Sequence, residues 1–152
     1  MTNRPLPLPA VLKRLQTEGG AGNFLVIEEP ATGYYIQIAG SNGSALLHLE
    51  AVGNAYLDVT RRLSPAQHNR LRQLGWSDPA QQRHPGAAGS LPTSCGSDPA
   101  WSCPNHFIDC QVHDGNDREW LARLIMKTFA DVYGIGSNAS LDLRLNLEEC
   151  QV

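Results

Sequence analysis

Residues 103–113 read Cys-Pro-Asn-His-Phe-Ile-Asp-Cys-Gln-Val-His, so Cys103, His106, Cys110 and His113 fall within eleven positions, with Cys95 a short way upstream. Thiolates and neutral imidazoles are the ligands of tetrahedral zinc, which makes a metal- or thiol-dependent site the first chemistry to weigh. Structural zinc sites, however, pair two ligand-bearing turns across a longer loop, and four donors packed this closely converge poorly on one ion. At strand period His106, Ile108, Cys110 and Val112 share one face, and Asn105, Phe107, Asp109 and Gln111 the other. His106 and Cys110 are then two strand repeats apart, too far to share an ion without a bend. The sequence favours a strand in which Cys110 is a small buried apolar residue. The Cys95, Cys103, His106, Cys110, His113 site stands as the alternative, and no cofactor is expected.

Other candidate chemistry is weaker. Gly134-Ile135-Gly136-Ser137 looks like half a phosphate loop, but it follows a helix instead of joining a strand to a helix N-terminus, so it reads as a helix ending. Glu28-Glu29, Glu50 and Glu148-Glu149 are carboxylates without a readable partner, and His48 has no readable nucleophile. No residue is nominated as catalytic, and the expectation is a protein that is not an enzyme.

The whole chain limits the function class further. With 152 residues and 41% hydrophobic content it can bury one sizeable core, so residues 1–152 are expected to form a single domain. A net charge of −3, with only scattered pairs such as Arg61-Arg62 and Arg70/Arg72, leaves no basic stripe for nucleic acid. Prolines interrupt the N-terminal apolar run and no 18 apolar residues follow one another, so neither a signal peptide nor a membrane span is expected. A cytoplasmic location with reduced cysteines is the expectation that follows.

The elements that would position any site are well punctuated. Val11, Leu12 and Leu15 have helical spacing and Gly19-Gly20 ends that segment. Residues 24–29, 34–39 and 45–52 alternate as strands, separated by Pro30-Ala31-Thr32-Gly33 and Gly40-Ser41-Asn42-Gly43, which predicts a three-stranded antiparallel meander. Ser64, Pro65 and Gln67 form a capping box with proline at the first helical position, and Gly75-Trp76 a Schellman ending in which Trp76 folds back on Leu71. A longer helix carries Leu121, Leu124, Ile125, Thr128, Phe129 and Val132 on one face, with Asn116 and Glu119 read as its capping box and Gly134 as its stop. Between the helices, residues 77–103 are rich in Gly, Pro and Ser, predicting a flexible loop anchored by Trp101. Leu141, Leu143, Leu145 and Leu147 alternate with polar residues in a half-buried terminal strand.

In this order of elements, "YYIQIAG", "LHLEAVGNAYL", "LSPAQHNRLRQLGW", "PNHF" and "KTFADVYGI" together resemble the TY-Chap domain, a type III secretion chaperone-like family, from Leu8 to Ile135. The most specific pieces are Gln37, residues 50–56, Leu74-Gly75-Trp76, Pro104-Asn105 and residues 128–134. The resemblance implies an α+β fold, an antiparallel sheet flanked by helices, that binds an extended segment of a protein client without ATP, often as a homodimer. Such binding needs accessible apolar surface and no catalytic centre. Tyr35, Leu46, Leu57 and Trp76 are the candidates for a client or dimer surface, core packing being the competing role of each. The leucine-rich terminal strand adds to the expectation of a homodimer. An immunity or regulatory partner of a neighbouring gene product would use the same binding logic.

Overall fold

A computed structural model describes residues 7–79, 104–136 and 139–149. Helix α1 (Leu8–Thr17) starts behind Pro7 and buries Val11, Leu12, Leu15 and Gln16 on one stripe. Asn23 fixes its far end, donating from Nδ2 to the carbonyls of Leu15 and Glu18 at 2.9 and 2.7 Å. Strands β1 (Asn23–Glu28), β2 (Tyr35–Gly40) and β3 (Leu46–Ala51) follow as the predicted antiparallel meander. In the first turn the Glu29 carboxylate accepts from the Thr32 amide at 2.7 Å, so this residue closes a turn and is not a free acid.

Helix α2 (Pro65–Leu74) has the ending and the beginning that its sequence predicts. The Ser64 hydroxyl accepts from the Gln67 amide while the Gln67 side chain accepts from the Ser64 amide. Gly75, at φ +107°, lies in the left-handed region, and the Trp76 amide donates back to the Leu71 carbonyl at 3.0 Å. Helix α3 (Gly115–Asp131) departs from expectation at its start: Asp114 is the N-cap, accepting from the Asp117 amide at 2.9 Å, whereas Asn116 and Glu119 lie inside the helix. Aspartate is as good a cap as serine or asparagine, and Asp114, two residues before Asn116, takes the position.

Strand β4 (His106–Gln111) and strand β5 (Asp142–Asn146) complete a five-stranded antiparallel sheet in the order β4-β3-β2-β1-β5. Residues 80–103 of the predicted loop lie outside the described residues; Ser77, at its start, forms a bridge with Phe107 on the outer edge of β4. All three helices cover one face. Leu25, Ile27, Ile36, Ile38, Leu47, Leu49 and Ala51 meet Leu12, Leu15, Leu71, Leu121, Ile125 and Phe129 there in one continuous core. Gln16 ties α1 across the layer, donating to the Val112 carbonyl at 2.9 Å, and Gln67 ties α2 to the end of α3 through the Val132 carbonyl at 2.7 Å. This is the expected α+β architecture, and its one-sided layering leaves the second face of the sheet without a helix among the described residues.

Candidate functional site

The pleat and the register decide what that second face carries. One row across the sheet runs Phe24, Ala39, His48, Asp109; the next runs Val26, Gln37, Glu50, Phe107. Tyr35 stands beside Glu28, and Leu46 beside Gln111. Phe24 is 43% exposed, and Val26, Tyr35, Leu46 and Phe107 are each half-buried. The face is therefore mixed: apolar side chains surround a polar centre.

That centre is a chain of contacts. The His48 Nδ1 lies 2.6 Å from Asp109 Oδ1, and its Nε2 lies 3.4 Å from Glu50 Oε2. Asn105 continues the line, donating from Nδ2 to Glu50 Oε1 at 3.3 Å and to the Tyr35 hydroxyl at 3.2 Å, while its Oδ1 accepts from the Gly53 amide at 3.0 Å. His48 and Glu50 are each only 2% exposed. Burial alone would hold His48 neutral; hydrogen bonds and attraction from Asp109 and Glu50 overcome it and raise its pKa to about 9. Both imidazole nitrogens thus face carboxylates. The arrangement orients and charges an imidazole.

The other singled-out residues separate by depth. Tyr35 and Leu46 lie on the helix-free face, whereas Trp76 and Leu57 lie in the core at 2% and 9% exposure, Trp76 donating from Nε1 to the Thr128 hydroxyl at 3.1 Å. His106 and Cys110 are on the helix-covered face, opposite Ala51 and Leu47, with Ile108 between them; His113 is exposed beyond the strand, and Cys95 and Cys103 lie outside the described residues. Burial pushes the Cys110 thiol up to about 11, leaving it unreactive. His106 is pushed down to about 4, first by burial and then by repulsion from His68. Among the described residues, no group of three or more His, Cys, Asp or Glu side chains could hold a metal ion.

Sequence reasoning did not join His48 to Asp109, because strands β3 and β4 are separated by two 3-10 turns, a helix and the 77–103 segment. The usable signal was the alternation itself, which put Asp109 on one named face of its strand and His48 on the polar side of its own. Pairing the two strands supplies the rest.

At the far edge of the sheet β5 has no described neighbour on its outer side. Leu141, Leu143 and Leu145 are half-buried beside Val11 and Arg14 of α1, lining a groove of about 470 Å³ that also includes Glu28, Asp142 and Arg144. No helix among the described residues is long and apolar enough to cross a membrane. No curated protein and no solved structure matches the chain. A family model does: TY-Chap3, described as "T3SS (YopN, CesT) and YbjN peptide-binding chaperone 3", covers residues 7–146. One sheet layered on one side by helices, with a mixed apolar and polar second face, belongs to a chain that is a member of this peptide-binding chaperone family.

Proposed function

We propose that this chain is a non-catalytic module that binds an extended segment of a protein client, and that it does so on the helix-free face of its sheet. The observation that carries the reading is the grouping of Phe24, Val26, Tyr35, Leu46 and Phe107 around the His48 centre. Extended peptides gain affinity by setting alternate side chains into such surface while their backbone polar groups find partners, which the half-buried Tyr35 hydroxyl and the exposed Asp109 carboxylate offer. Leu57 and Trp76 then support the face from within the core.

A homodimer through the outer edge of β5 fits the same reading. Antiparallel pairing of two copies about Leu143 sets Asp142 opposite Arg144 and Leu141 opposite Leu145, twice by symmetry. Within one copy Asp142 stands across from Glu28, a like charge, so a second arginine there relieves repulsion. An immunity or regulatory partner would be bound by the same surfaces.

The test is a selection of linear peptides against the purified chain, with affinity measured by fluorescence anisotropy and the footprint by hydrogen exchange. Binding that protects β2 and β3 and weakens at least about tenfold in Leu46→Asp and Tyr35→Ser supports the assignment. Peptides that bind both variants unchanged would overturn it. Light scattering checks the dimer: the expected mass is twice the 16.6 kDa of one chain and falls to one chain in Leu143→Lys. A single-chain mass at high concentration removes the dimer.

A further inference from the structure

The helix-free face carries an uneven share of the charge. Its rows bring up four carboxylates, Glu28, Glu50, Asp109 and Asp142, against two basic side chains, His48 and Arg144. Every other described lysine and arginine stands on a helix or in the turns before α2. Both cations on the face are engaged already. Arg144 lies 3.7 Å from Glu28, and His48, protonated between Asp109 and Glu50, answers only one of those two charges. Counted together, the described side chains leave the face net negative. Asp142 lies out on the edge strand, so the accessible acid at the centre is Asp109, whose side chain is 54% exposed while that of Glu50 is buried.

Asp109 also stands in a defined order. On the β3–β4 pair, the row of Leu46 and Gln111 lies to one side of it and the row of Glu50 and Phe107 to the other. Leu46 and Phe107 are half-buried, and the Phe107 ring is stacked beside His48 with centroids 6.3 Å apart. Anything laid along these two strands therefore meets an apolar, an acidic and an apolar side chain in turn.

We propose that the occupant of this face is an extended segment of another protein in which a basic residue, best an arginine, is set between apolar residues two positions away on either side. The inference rests on the client-binding reading of the face and names the chemistry of the client. Residues i, i+2 and i+4 of an extended segment point the same way at a repeat of about 7 Å, which is the repeat of the three rows. Arginine suits the centre because its planar guanidinium bonds a carboxylate while its flat side lies on an aromatic ring; lysine supplies the charge alone. An acidic segment would set like charge against Asp109, which opposes binding.

The experiment uses the full chain and a library of random linear peptides, with the selected peptides measured by fluorescence anisotropy and mapped by hydrogen exchange. Peptides with a footprint on β2 to β4 are expected to carry arginine or lysine at the stated spacing. Changing that arginine to glutamine in the tightest peptide is expected to weaken binding about fivefold, and added salt is expected to narrow the difference. Asp109→Asn is expected to abolish it. Because that change also touches His48, Gln111→Lys is the second variant: it lies at an exposed position, keeps the contact between Asp109 and His48, and is expected to weaken the arginine peptide but not the glutamine peptide. Selected peptides that are neutral or acidic and still leave their footprint on the face would overturn the basic segment while the client reading stands. An arginine-to-glutamine change that costs the same in the wild type and in both variants would do so as well. Peptides that leave no footprint on the face, or an absence of binding, would overturn the client reading and this inference with it.

Discussion

His48 makes the sharpest prediction about the helix-free face. Its pKa in the fold is about 9, against about 6.5 in an unfolded chain. The folded state therefore holds its proton more tightly, and the stabilisation is fully present below pH 6.5 and lost as pH rises through 9. The gap corresponds to about 3 kcal/mol, more than half the lower end of a typical domain's stability. The carboxylates that create it are Asp109 at 2.6 Å and Glu50 at 3.4 Å. Urea denaturation at steps between pH 6 and pH 10 should show that decline, and Asp109→Asn should flatten much of it while lowering stability at pH 7. Nitrogen chemical shifts of the imidazole should report a protonated ring at pH 7.5 in the wild type. A neutral ring at that pH, or a stability profile flat across the interval, would refute the assignment of a charged His48 held by two carboxylates.

Asn105→Ala removes the contacts to Glu50, Tyr35 and the Gly53 amide together, leaving buried polar groups unmet. The expected loss is about 2 to 3 kcal/mol by urea denaturation, with the β3 to β4 amides exchanging faster than those of β1. Phe129→Ala empties a fully buried position between the helices and the sheet and is expected to cost about 3 to 5 kcal/mol, read as a fall in the denaturation midpoint.

The local elements were legible because their signals are local. Ser64, Pro65, Gln67 and Gly75 fix the two ends of α2 through contacts within a few residues, and the packed fold has no reason to override them. The alternation of Tyr34 to Ala39 and of Leu46 to Ala51 placed the core side of the meander for the same reason. The start of α3 was misplaced because Asp114 and Asn116 are both good caps, and the choice depends on where β4 ends.

Alone, then, the sequence determined which stretches are helix or strand, which side of each strand is apolar, and the family to which the pattern belongs. Tertiary structure decided what meets what. Two long-range outcomes carry the functional argument: β4 lies beside β3, which brings Asp109 to His48, and β5 returns to β1, leaving its outer edge without a described neighbour. Strand order and register are set by the summed burial of the whole layer and by loop closure across tens of residues. No single segment encodes those quantities, so the same His48 that reads as an isolated polar residue in the chain becomes the charged centre of a face in the fold.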